Sequence, residues 1–184
     1  MRPQNNTSST RGRRPVERRI YPLRELAAFT DDKGAELGGY LLRWASTYTV
    51  LDTEETHTER YAPGSFDRTV ADGRRGSFVA DDPLGRGGVA VASRRAGTLR
   101  LAVDEVGLRF DATLHFLDGY TPEATAARTV ASAYKRGDLD AVGLELRILR
   151  DAWPSGSRLR LVTEAQIVGL FVPLTDDETV TPRE

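Results

Sequence analysis

Between Gly97 and Phe116 the chain alternates apolar and polar residues with a period of two, and this pattern constrains its fold more than any other stretch. Thr98-Leu99-Arg100-Leu101 and Leu108-Arg109-Phe110-Asp111-Ala112-Thr113-Leu114 each send one set of side chains to a buried face and the other to solvent, as half-buried strands do. Asp104-Glu105 between them suits a tight hairpin. Strands are therefore expected over Gly97–Val103 and Val106–Phe116, with Gly88–Ala92 and the short apolar Gly76–Ala80 before them. Nearer the N-terminus, Arg19 to Phe29 reads as one strand with an early proline, which edge and first strands tolerate. Thr30-Asp31-Asp32-Lys33-Gly34 has the residue chemistry of a turn. Gly38 to Thr49 then makes a second strand, with Tyr40, Leu42 and Trp44 on one face and Leu41 and Arg43 on the other. After position 138 the strands expected are Leu139–Arg150, Arg158–Ala165 and Ile167–Pro173.

One helix interrupts this series. Thr121 is placed to cap it, Pro122 suits its first position, and Glu123 lies in its first turn. Ala127, Val130, Ala131 and Tyr134 recur at helical spacing. Lys135-Arg136 favour its C-terminal end and Gly137 supplies the left-handed stop. Tyr61-Ala62-Pro63-Gly64-Ser65-Phe66 reads as a turn delivering Phe66 to the core, and Phe66–Ala71 as a short helical turn closed by Asp72-Gly73. Many closely spaced strands with one strong helix give a mainly β fold with helices (α+β), a closed antiparallel barrel.

Composition narrows the chemistry. The 184 residues include no cysteine and only two histidines, His57 and His115. Disulfides, thiolate metal sites and a cysteine nucleophile are thereby excluded, and a multi-histidine zinc centre is disfavoured; no cofactor is expected. No apolar run approaches the roughly 20 residues that span a bilayer, and the N-terminus lacks the apolar core of a signal peptide, so a soluble intracellular protein is expected. His57 falls in the polar segment Val50–Arg60, where a solvent-exposed loop is expected, and His115 reads as a rim residue. Gly85-Arg86-Gly87-Gly88 has no following Lys-Ser/Thr and no helix, so it does not make a phosphate loop.

Charge divides the chain. Residues 1–19 carry Arg2, Arg11, Arg13, Arg14, Arg18 and Arg19 against Glu17 alone, a charge of +5, so the net −1 leaves −6 on the rest. The expected organisation is a basic disordered arm over 1–19, a domain over 20–174 and an acidic disordered tail over 175–184. Those six arginines could contact nucleic acid, although the acidic body argues against more than a peripheral role.

The order of motifs carries a resemblance. Gly39-Tyr40, Tyr61-Ala62-Pro63-Gly64-Ser65-Phe66-Asp67-Arg68, Gly97-Thr98-Leu99-Arg100-Leu101, Gly107-Leu108-Arg109-Phe110 and the helix end Lys135-Arg136-Gly137-Asp138 together resemble the tailed-phage prohead proteases. These are serine peptidases that mature capsids and share the herpesvirus assemblin-like fold. The likeness spans roughly residues 20–174 and implies a serine nucleophile with a histidine base on a neighbouring strand.

Carried onto this sequence, the nucleophile's strand matches Ala141-Val142-Gly143-Leu144-Glu145-Leu146, with Gly143 in the serine's place. Glu145 replaces a small residue, and Gly169 stands where a small hydroxyl residue is usual. The base's turn matches Phe78-Val79-Ala80-Asp81-Asp82-Pro83, with either Asp81 or Ala80 in the histidine's place. No confident catalytic residue remains. Because the members of such a pair act as a unit, one loss already removes most of the rate. The resemblance then implies a catalytically inactive relative that binds phage capsid or scaffold protein, working in the host cytoplasm and inside the assembling prohead. A homodimer is a further expectation. The alternative is an active endopeptidase using a rebuilt pair drawn from Ser77, Ser132 and His115.

Overall fold

The computed structural model describes residues 14–50, 56–73, 76–80, 88–173 and 181–183. Twelve strands and two helices follow in order: β1 Glu17–Pro22, β2 Arg24–Thr30, β3 Gly34–Arg43, β4 Thr47–Val50, β5 His57–Tyr61, α1 Asp67–Asp72, β6 Ser77–Ala80, β7 Val89–Ser93, β8 Leu99–Val103, β9 Gly107–His115, α2 Pro122–Arg136, β10 Ala141–Ala152, β11 Leu159–Val172 and β12 Thr181–Arg183. They form two sheets, one of eight strands with the path β1-β10-β11-β5-β4-β12 plus β6 and β7, and one of four in the order β2-β3-β9-β8. The fold is mainly β with few helices, and the larger sheet is nearly closed and barrel-like.

The alternating stretch that most constrains the sequence forms the β8-β9 hairpin. Leu99, Leu101, Leu108, Phe110, Ala112 and Leu114 are buried, whereas Arg100 and Asp111 face out. Helix α2 forms as its local signals require. Thr121 Oγ1 accepts the Ala124 N–H at 3.2 Å. Gly137 turns left-handed at φ 77°, and its N–H and that of Asp138 cap the Tyr134 and Ala133 carbonyls. The Tyr134 hydroxyl then donates to the Ala141 carbonyl at 2.7 Å, fixing where β10 starts.

Strand β11 is the pivot. Along one side it runs antiparallel to β10; along the other its first part runs parallel to β5 and its last part parallel to β6. The barrel is thus not wholly antiparallel. Between β5 and β6 the chain bulges away from β11, and the turn at 62–66 with α1 fills the gap. Ala165 N–H donates to the Ser65 carbonyl at 2.8 Å, and the Thr69 hydroxyl donates to the Ala165 carbonyl at 3.1 Å. Phe66 is fully buried, stacked on Tyr61 and Trp44.

Several expected boundaries shift, each for a tertiary reason. Arg19–Phe29 is two strands: the chain breaks at Leu23, whose N–H donates to the Asp140 carbonyl, so β1 joins one sheet and β2 the other. Gly38–Thr49 is also two, separated by a turn at Trp44, and a register shift between Tyr40 and Leu42 buries both Leu41 and Leu42. Conversely, Arg158–Ala165 and Ile167–Pro173 are one strand, β11, because irregularities in its register with β10 absorb the change of phase. The segment Val50–Arg60, expected as a loop, contains β5. The arm expected over 1–19 overlaps described structure from Arg14 onward, since Glu17–Arg19 pair with β10. The tail expected over 175–184 includes β12, paired with β4.

Candidate active site

Strand β10 buries both its faces. Val142, Leu144, Leu146 and Ile148 enter the main core, which leaves Gly143, Glu145 and Arg147 on the outer face. Across the sheet at position 143 the neighbours are Ile20 of β1 and Phe171 of β11. The Phe171 ring lies across the glycine: a Cβ built at 143 would sit 2.1 Å from Cζ and 2.3 Å from both Cε atoms. Only a residue without a side chain admits that ring. Phe171 forms a small cluster with Ile20 and Ala141, separate from the main core. The Arg18 guanidinium carbon stacks 3.8 Å from the ring's centroid, a cation–π contact.

One step along the strand, Glu145 faces Gly169. Arg18 Nε lies 3.5 Å from Glu145 Oε1, and Glu145 Oε2 is 3.5 Å from where a Cβ on Gly169 would stand. The position matched to the serine is therefore glycine under an aromatic ring, and the strip beside it holds an ion pair.

Strand β6 brings the positions matched to the base. Its register with β11 sets Phe78 beside Leu170, Val79 beside Phe171 and Ala80 beside Val172. Phe78 is fully buried and Ala80 packs against the same core. Ala80 therefore points to the opposite face from Gly143, and a side chain there could not share a reaction with position 143. Asp81 lies outside the described residues.

The other candidates fall on separate elements. Ser77 is on β6 opposite Ser93 of β7. Ser132 is exposed on α2 and accepts from Arg136. His115 is exposed at the end of β9 in the smaller sheet. Among the described residues no hydrogen bond joins any two of them, whereas a base must come within about 3 Å of its nucleophile. Of the six arginines in the expected arm, Arg14, Arg18 and Arg19 are described, and all three are engaged inside the molecule. Arg2, Arg11 and Arg13 lie outside the described residues.

Sequence reasoning missed the principal charged cluster, centred on Glu59. The alternation His57-Thr58-Glu59-Arg60-Tyr61 sends His57, Glu59 and Tyr61 inward from β5. Glu59 is fully buried yet meets Arg19 (3.3 Å), Arg160 (3.1 Å), the Tyr61 hydroxyl (2.8 Å) and His57 Nε2 (3.3 Å). Arg160 also binds Glu17 and Asp151, each at 2.9 Å, and Arg14 reaches Asp151 at 3.0 Å. Three carboxylates thus meet three guanidinium groups. His57, expected in a solvent-exposed loop, is 11% exposed and packs against Trp153.

Burial by itself would raise the Glu59 pKa. The hydrogen bonds from His57, Arg19 and Tyr61, with the Arg19 charge, outweigh it and hold the carboxyl at about 2. Burial pushes the Tyr21 and Tyr61 hydroxyls well above their ordinary value, and they bond each other at 2.8 Å. A carboxylate that stays ionised with its oxygens occupied is not poised to exchange protons near neutrality. The cluster ties β1 to β5, β10 and β11. Its only signal in the sequence is the polar alternation in β5.

Among the described residues no group of three or more His, Asp or Glu could hold a metal ion, and no helix is long and apolar enough to cross a membrane.

Neither a curated protein nor a solved structure matches the chain. Residues 23–174 match the profile of the caudovirus prohead serine proteases. That span runs from the residue before β2 to just past β11 and takes in the core of both sheets, leaving β1 outside it. The chain belongs to the caudovirus prohead serine protease family and is a protein of phage capsid maturation.

Proposed function

We propose that this chain is a catalytically silent member of its family that keeps the barrel as a binding module for capsid or scaffold protein, acting in the host cytoplasm and inside the assembling prohead. The reading is carried by one observation: the Phe171 ring occupies the space where a side chain at position 143 would lie. Acyl transfer from a peptide needs an oxygen there, room for the carbonyl to approach it, and a base within hydrogen-bond reach. Glycine supplies no oxygen, the ring and the stacked Arg18 take up the room, and Ala80 faces the core. Glu145 adds a carboxylate to the strip that a substrate would cross.

The test is a fluorophosphonate probe applied to the purified chain, with co-expression of the phage's capsid protein. The expected result is no labelled serine, and an uncut capsid protein that co-purifies with the chain. Stoichiometric labelling of one serine would overturn the proposal. So would clipping of the capsid protein that a single substitution at Ser77, Ser132 or His115 abolishes.

A further inference from the structure

The ladder between β10 and β11 is irregular on either side of Ala165–Ile167. Ile148 pairs with Ala165 but Arg150 with Glu164, which pushes Leu149 out of the ladder; farther along, Glu145 pairs with Gly169 but Leu146 with Ile167, which skips Val168. Bulges of this kind re-aim side chains and are common beside functional sites. Here they border a cavity of about 700 Å³ between the two strands and α1, within the range of ligand pockets. Neither Gly143 nor Phe171 lines it.

Its lining is partly apolar, with Leu149 half-buried and Ile167 buried. One wall is fixed: the Arg94 guanidinium donates to the Thr69 and Val70 carbonyls, each at 2.7 Å, and so holds the end of α1 in place. Arg147 donates to the Gln166 side-chain oxygen at 3.0 Å and orients that amide at the other wall. Arg68 is held far less firmly. Its side chain is 83% exposed, and its contact with Glu164 is 3.5 Å long. Glu164 is shared with Arg150, 76% exposed, at 3.7 Å. Ion pairs this open contribute little, so Arg68 can exchange Glu164 for an incoming carboxylate at small cost.

Charge selects the occupant. Arg68, Arg94, Arg147 and Arg150 stand against Asp72 and Glu164 around the cavity, a local excess of two positive charges on a body that carries −6. Such a spot draws an anionic group, and a carboxylate fits the planar guanidinium fork. The two acids at the same place repel a phosphate backbone, so a single carboxylate with an apolar neighbour is favoured over a nucleic acid.

We propose that this cavity binds an acidic segment of a protein partner, an aliphatic side chain packing on Leu149 and Ile167 while an adjacent carboxylate pairs with Arg68. The proposal rests on the reading that the barrel binds capsid or scaffold protein, and is independent of whether position 143 is silent. Fluorescence anisotropy tests it, with the full chain titrated into fluorescein-labelled short peptides tiling the phage's capsid and scaffold proteins. The peptides that bind should carry Asp or Glu beside an aliphatic residue, and their affinity should fall as salt rises. Arg68→Glu should weaken binding about tenfold and melt like the wild type, because its side chain is mostly exposed. Leu149→Ala should weaken binding by a similar factor. Binding unchanged in Arg68→Glu, or a preference for basic peptides or single-stranded DNA, overturns the proposal. Capsid protein that co-purifies equally well with wild type and Arg68→Glu would leave the binding-module reading standing and remove the cavity as its site. If neither capsid protein nor any peptide binds, both readings fall.

Discussion

Replacing Gly143 by serine restores the atom that the family resemblance calls for, and the structure makes its consequence calculable. The new Cβ would start 2.1 Å from Phe171 Cζ, whereas carbon atoms pack at about 3.5–4.0 Å. The ring would have to retreat by about 1.5 Å. Phe171 is held between β10 and β6 and packed on Ile20 and Ala141, so the move disturbs a filled cluster. Overpacking of this kind costs about 1–3 kcal/mol, and loosening the Arg18 stack adds about 0.5–1 kcal/mol. Gly143 does not have a left-handed φ, so serine's smaller unfolded-state entropy offsets up to about 1 kcal/mol. The net expectation is a loss of about 2 kcal/mol, or about 4–8 °C in Tm for a domain of this size. The assay is a thermal melt of Gly143→Ser in the wild-type and Phe171→Ala backgrounds. In the second background the penalty should vanish, giving a coupling of about 2 kcal/mol. Neither variant should hydrolyse capsid protein. Equal penalties in the two backgrounds, or none in the first, would refute the packing argument; peptidase activity in Gly143→Ser alone would refute the claim that the site is closed.

Two further outcomes follow from the charged cluster. Glu59→Gln leaves Arg19 without its buried counter-charge and should cost about 3 kcal/mol, measured by urea unfolding at pH 7. Because the folded pKa of Glu59 is depressed to about 2 from 4.5, its contribution is fully present above pH 4.5 and lost as pH falls toward 2. The stability gap between wild type and Glu59→Gln should therefore narrow across that window; a gap independent of pH would contradict the assignment. A chain beginning at Arg14 keeps the β1-β10 pairing and the Arg14–Asp151 bridge and should melt cooperatively, whereas one beginning at Leu23 loses Tyr21 and Arg19 and leaves one edge of β10 unpaired. The second should fail to give a cooperative melt, and a normal one would show that β1 is dispensable.

What could be read in advance depended on how local its cause is. The capping of α2 by Thr121 and Gly137 involves residues within a turn of each other, and the β8-β9 hairpin is written in the alternation of its own strands. Strand β5 looked like a loop because Glu59 is charged; its burial is acceptable only because Arg19 and Arg160 arrive from 40 and 101 residues away. The same holds at the site. The sequence shows only that position 143 carries no side-chain oxygen; the ring that fills the space comes from position 171, and only the register of β10 with β11 brings the two together. The phase of β6, which turns Ala80 away from that face, is likewise set by its parallel partner and not by its own four residues.

The position of β11 also governs the order in which the protein can assemble. It follows β5, β6 and β10 in the sequence, yet all three need it as a partner, and β10 in turn receives β1, the first strand of the fold. Residues as far as Val172 must therefore leave the ribosome before these strands can pair, and contacts between such distant segments form slowly. During that interval β5 and β6 expose unpaired edges, the condition in which nascent β proteins aggregate. The strand that joins β5, β6 and β10 also carries Phe171, so filling the space over Gly143 coincides with the closing of that part of the sheet.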